Sequence, residues 1–194
     1  PEPGPASVSV LTLKAGQLSG KGNASTDGKK LDAALSLALA SLKGLDPSLS
    51  GPLELKLHAS GPLLSPGGEL TLASPHLGVE TATLEGLRVR LNTPSVGAAG
   101  GKGTLDVAAT LRDASVKTLQ AGAPLRFSTE WQFAPGHFRL HKTRLDAPGM
   151  ALSGTLDALP AKRRLDGGFP LAVPGWAAPS SLHGVPPTGS TAVA

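Results

Sequence analysis

Along residues 51–92 apolar and polar positions alternate. Leu53, Leu55, Leu57 and Ala59 interleave with Glu54, Lys56, His58 and Ser60, a period of two that predicts a half-buried strand. Gly61-Pro62 and Pro66-Gly67-Gly68 break the run, and alternation resumes at residues 69–72 and 87–92. Residues 75–78 (Pro-His-Leu-Gly) predict a turn, residues 79–84 a weaker strand, and residues 93–102 a Gly/Ala loop. Upstream, residues 7–13 form a strand with Val8, Val10 and Thr12 on one face and Ser9, Leu11 and Leu13 on the other. Residues 18–25 form a second strand, and Thr26-Asp27-Gly28 is a hairpin turn. Residues 29–43 fit a helix through Leu31, Leu35, Leu39 and Leu42, but the clean alternation of Leu35, Leu37 and Leu39 favours a strand at 33–39, then a short helical turn. Asp46-Pro47 starts a further turn. Downstream strands are expected at 103–113, 124–133, 137–146 (Phe138 and Leu140 inward) and 150–157.

The pattern therefore predicts an all-β chain of repeated antiparallel strands. It divides into a loose lead (1–6), a β-rich segment (7–168) and a Pro/Gly/Ala-rich tail (169–194) read as a disordered or linker stretch. The expected inward set is Leu53, Leu55, Leu57, Leu70, Leu72, Leu87, Val89, Leu91, Leu105, Val107, Leu111, Leu125, Phe127, Trp131, Phe133, Phe138, Leu140 and Leu156. Two architectures suit it. In a β-sandwich a second sheet covers the face, and periodicity alone leans that way; in an open, curled sheet the face lines an apolar groove.

Composition sharpens this only in part. Gly 25 and Pro 18 imply frequent turns, while hydrophobics at 40% argue against disorder for the chain as a whole. Aromatics are 3%, so Leu and Ala fill positions that strands usually give to aromatic and β-branched residues. The net charge of +4 is spread thinly, the densest run being Lys162-Arg163-Arg164, and there is no basic patch with interleaved aromatics; no nucleic-acid partner is expected. Without Cys there is no disulfide, thiolate metal site or thiol nucleophile. No apolar run is long enough to cross a bilayer as a helix. The chain opens on Pro1 without a leader, so a fragment of a longer array is expected.

Candidate chemistry is sparse. His137 and His141 are four apart, which on a helix places two imidazoles on one metal; on a strand they are ~13 Å apart and share none. Asp106, Glu130 and Asp146 read as polar-face residues. Residues 97–102 have the glycines and lysine of a phosphate loop but neither its spacing nor a following helix. No catalytic residue, metal or cofactor is expected.

Three stretches carry a family likeness. They are LDPSLSGPLEL (45–55), ASGPLLSPGGEL (59–70) and LDAPGMALSGTL (145–156), with Leu-Ser-Gly recurring at 18–20, 49–51 and 152–154. Over roughly residues 31–173 the chain resembles the TamB family of AsmA-like envelope proteins of Gram-negative bacteria. The motifs are degenerate turn phrases; the family's N-terminal anchor and C-terminal signature domain have no counterpart, and the Pro-rich tail departs from its pattern. The resemblance implies a long sheet curled into a taco-like trough, periplasmic, holding phospholipid acyl chains on the inward Leu positions. It also implies a part in phospholipid transport to the outer membrane and in outer-membrane protein assembly, with a TamA-like barrel as partner.

Overall fold

The structure is a computed structural model and describes residues 6–44, 46–159, 164–168 and 171–172. The residues of the lead before Ala6, and the tail apart from Leu171 and Ala172, lie outside the described residues.

Thirteen strands form one antiparallel sheet: β1 (Ala6–Ala15), β2 (Leu18–Thr26), β3 (Lys30–Leu39), β4 (Leu49–Ser50), β5 (Leu53–Pro62), β6 (Gly67–Val79), β7 (Ala82–Gly97), β8 (Gly100–Asp113), β9 (Ala123–Ala134), β10 (His137–Ala147), β11 (Met150–Leu159), β12 (Arg164–Gly168) and β13 (Leu171–Ala172). Nearly every strand pairs with its sequence neighbour. The two shortest complete the neighbouring positions: β4 pairs β6 beyond the end of β5, and β13 pairs β11 beyond β12. The sheet is open, with β1 and β12 at its ends, and it curls. No second sheet packs against it among the described residues, so the sandwich alternative is not the one adopted.

Local chemistry explains the hairpins. Asp27 Oδ1 accepts hydrogen bonds from the Lys29 and Lys30 amides at 2.8 and 2.6 Å, closing the β2–β3 turn. Asp46 Oδ1 accepts from the Ser48 amide and hydroxyl at 2.8 and 2.7 Å, and Asp113 does the same with Ser115 at 2.8 and 2.5 Å. A 3-10 turn at Leu42–Gly44 follows β3, where a short helical turn was expected.

Two of the expected breaks are not breaks. The 75–78 stretch is strand: β6 runs through it to Val79, and the chain reverses at Glu80 and Thr81 before β7. Pro75 is tolerated because β6 has left β5 after Ala73 and does not meet β4 until Gly78. That gap on its flank has little use for an amide donor. Likewise the 93–102 loop is a paired hairpin, with β7 reaching Gly97 and β8 starting at Gly100. Its small residues sit in strands and reverse only at Ala98 and Ala99.

Register shifts punctuate the ladders in β1 (between Val8 and Leu11), β7 (Glu85/Arg88 and Asn92/Ser95) and β10 (Leu140/Thr143). At the first β7 shift Gly86 has φ +61°, and in the β10 shift Lys142 has φ +51°. Such bulges bend their strand and increase its twist. Added to the ordinary right-handed twist, they curl a sheet that would otherwise run flat. They also reset the alternation. The β1 shift places Leu11 and Leu13 opposite Gly22 and Gly20, on the apolar face, which the alternation of β1 by itself does not assign to either of its sides.

There is little core. Among the described residues the only buried hydrophobics are Leu42 and Leu87, at 6% and 7% exposure. A sandwich would have buried most of the inward set.

Candidate functional site, an apolar and a basic face

The register tests which residues share a face. Leu37, Leu55, Leu72, Val89, Val107, Phe127 and Leu145 stand opposite one another in turn across β3 and β5–β10, and Leu13, Gly20 and Leu152 extend the row at its ends. The next row runs Leu35, Leu57, Leu70, Leu91, Leu105 and Thr129. Leu53 and Leu87 belong to the row on the other flank, Leu111 and Leu125 lie on the same face of β8 and β9, and Trp131, Leu140 and Leu156 form a further row beside Phe133 and Phe138. The pairing thus brings every residue of the expected inward set to one face. It adds Leu11, Leu13, Leu18, Leu35, Leu37, Leu39, Leu145 and Leu152, which that set lacked.

This face is half-buried rather than sealed, and Leu11, Leu13, Leu57 and Phe133 are exposed at 58, 44, 37 and 43%. Two polar features interrupt it. Thr129 and Thr143 are buried and share a hydrogen bond between their hydroxyls of 2.8 Å. Ser74, opposite Leu87, is 2% exposed and its hydroxyl has no partner. Trp131 lies over Gly103, where any Cβ would meet its indole Nε1 at 2.8 Å. Glycine here makes room for the largest side chain of the face.

The opposite face is polar, and two cavities lie on it. One of about 610 Å³ lies over β2, β3, β5 and β6 between Lys21, Lys56, His58 and Glu69. A second, of about 700 Å³, spans β6 to β10 and is lined by Arg88, Arg90, Asp106, Arg126, Arg144 and Asp146. Asp106, Glu130 and Asp146 are on this face, as expected.

His137 and His141 serve different carboxylates. His137 Nε2 is 3.0 Å from Asp157 Oδ1, which also accepts from Arg139 Nε at 2.5 Å. His141 Nδ1 is 3.5 Å from Glu130 Oε2, and Lys142 Nζ donates to Glu130 Oε1 at 2.7 Å. The Arg139 hydrogen bond, working against some desolvation and aided by His137, holds Asp157 below the ordinary carboxyl range. The Lys142 hydrogen bond and charge, with His141, do the same for Glu130 against its desolvation. Arg112 Nε approaches Glu85 Oε2 to 2.7 Å, close enough for an ion pair but without the alignment of a hydrogen bond. Neither of these imidazoles is hydrogen-bonded to a hydroxyl among the described residues. Among the described residues no three His, Asp or Glu cluster as metal ligands.

What the arrangement can do is bind: along a broad apolar sheet face on one side, and in cation-lined hollows on the other. No protein-family model, curated protein or solved structure matches the chain.

Proposed function

We propose that the chain is a non-enzymatic lipid-binding segment of an envelope protein, resembling the TamB family, whose apolar face receives phospholipid acyl chains. In this reading it works in the periplasm, on the path of phospholipid to the outer membrane and in outer-membrane protein assembly, and a TamA-like barrel is its partner.

One observation carries the reading. Apolar residues stand in register from strand to strand across β3 to β10, on a face that no second sheet covers among the described residues. At about 4.8 Å per strand the face is tens of ångströms wide. Each Å² of apolar surface it removes from water contributes about 25 cal/mol, without directional bonds that would fix a chain in one place. Leucine suits that role, since its contacts with an alkyl chain are numerous and individually weak.

A photo-crosslinking residue at Leu72 or Val89, in the middle of the face, tests it in membrane-containing cells. Phospholipid adducts are expected at both positions, and on none placed at exposed Lys56 of the polar face. Absence of lipid adducts at Leu72 and Val89, with efficient crosslinking to protein instead, sinks the reading in favour of a structural module whose apolar face is closed by a protein partner.

A further inference from the structure

The geometry points to an oxyanion site on the polar face, in the cavity spanning β6 to β10, where Arg88 and Arg126 together bind a phosphate ester. The site is on the opposite side of the sheet from the apolar rows and does not rest on the lipid reading.

Two polar-face rows build it. In one, Arg88 on β7 and Arg126 on β9 stand on either side of Ala108 on β8. Their Cα atoms are thus about 10 Å apart, two strand spacings, with only a methyl group between them. In the other row Arg90, Asp106 and Ser128 succeed one another, with Arg144 beyond Ser128. The cavity between these side chains measures about 700 Å³.

The ion pairing leaves this pair of arginines over. Asp146 is directly opposite Arg126, yet it accepts from Arg144 Nε at 2.8 Å, and the bond and charge of Asp146 raise the Arg144 pKa. Arg90 turns away to Glu69 at 3.1 Å rather than to Asp106 opposite it. Among the described residues Arg88 and Arg126 have no carboxylate within ion-pair distance. With Arg144 paired to Asp146 and Arg90 to Glu69, Arg88 and Arg126 are left around the cavity against the single unpaired Asp106 among the described residues, an excess of positive charge. Like charges flanking one small residue repel, and an anion between them removes that cost.

The chemistry favours phosphate over carboxylate. A guanidinium fork takes one lone pair on each carboxylate oxygen, and a second arginine finds only the remaining, more crowded ones. A phosphoryl group has three or more oxygens and accepts two forks at once. Asp106, also without a partner, is an acceptor for a hydroxyl on the alcohol part, which fits a phosphate ester of a polyol. Such a group is found both on a free polyol phosphate and on a phospholipid headgroup.

The full chain is titrated at low salt with glycerol 3-phosphate, followed by backbone amide NMR, and in parallel sedimented with vesicles of phosphatidylglycerol or phosphatidylcholine. Saturable shifts are expected at Arg88, Ala108 and Arg126. In R88Q/R126Q binding should weaken by at least about tenfold, as loss of charge-assisted bonds implies. The variant K21Q/K56Q, which removes the same charge from the other cavity, should bind as the wild type does. Vesicle binding that needs phosphatidylglycerol and the same arginines, without binding of the soluble ester, identifies a headgroup as the source. Absence of saturable binding in both arms, or equal loss in the two double variants, overturns the proposal. The substituted side chains are exposed, and unchanged amide spectra away from the site confirm that the fold is kept.

Discussion

The hydroxyls of Thr129 and Thr143 lie 2.8 Å apart, buried within the apolar face. They meet because β10 carries an extra residue at Lys142, which turns Thr143 across from Thr129 after Leu140 has already faced Trp131. Each hydroxyl is the other's main partner, since Thr129 has only longer contacts to the Glu130 and His141 carbonyls, at 3.3 and 3.4 Å. Removing the Thr129 hydroxyl leaves that of Thr143 buried and unsatisfied, and removing the Thr143 hydroxyl leaves Thr129 only its two longer carbonyl contacts. T129V or T143V alone is expected to destabilise the fold by about 1–3 kcal/mol. The double variant, which replaces both with apolar groups of the same shape, should recover most of that loss. Urea unfolding of the three variants measures the coupling, and additive losses in the double variant refute it.

The same bulge shows what could and could not be read from the chain. Period-two alternation identifies a strand but assumes unbroken phase. It therefore found Phe138 and Leu140 yet passed over Leu145, which the extra residue restores to their face opposite Phe127. In β1 alternation left open which side joins the apolar face, and the register with β2 puts Leu11 and Leu13 there. Pro75 and the glycines of residues 97–101 were read as breakers because proline and glycine usually are. Here the neighbouring strand is interrupted at Pro75, and close approach is needed at Gly100 and Gly101, where a Cβ would meet the Phe133 carbonyl and Val96. The basic cavity was invisible for another reason. Arg88 and Arg126 are far apart in sequence, and only the non-local registers of β7, β8 and β9 make them neighbours. The inward Leu positions of β5 to β8, by contrast, needed nothing but local alternation.

Acid should loosen the sheet at its β9–β11 end. Asp157 and Glu130 have folded-state pKa values below their ordinary 3.8 and 4.5. A carboxyl depressed on folding contributes stability that is fully present above its unfolded pKa and is lost as pH falls through the folded one. The loss is therefore expected from about the ordinary carboxyl range downward, and not between pH 6 and 8 on account of these groups. Thermal unfolding followed from pH 7 to pH 2 should show a fall in Tm that is shallower in D157N/E130Q than in the wild type. Parallel curves for the two proteins count against the assignment.

Gly103 is expected to tolerate no side chain, although its φ is an ordinary strand value. A Cβ there meets Trp131 Cε2 at 2.9 Å and, closer still, the Asn92 carbonyl oxygen, which is backbone and cannot rotate away. G103A should cost about 1–3 kcal/mol through overpacking and strand displacement, and should change the indole fluorescence of Trp131. G136A is a useful comparison. Its Cβ meets nothing within 4 Å but inherits φ +73°, so it should cost about 1 kcal/mol through backbone strain alone and leave the emission unchanged.

The lipid reading makes a demand on the apolar face as a whole rather than on any one contact. Leu72 sits in the central row between Leu55 and Val89, whereas Leu64, 87% exposed, lies in the β5–β6 turn outside the rows. A carboxylate at the first position projects into the space an acyl chain would occupy and is costly to desolvate there; at the second it remains in water. L72D is therefore expected to lower the lipid copurifying with the chain by about tenfold, a loss of the order of 1.4 kcal/mol, and L64D to leave it unchanged. Mass spectrometry of gently purified protein, with circular dichroism to confirm that β-structure persists, makes the comparison. Because Leu72 is only half-buried and no second sheet rests on it among the described residues, L72D should retain its strands. Equal lipid in L72D and wild type would mean that acyl chains do not use this face.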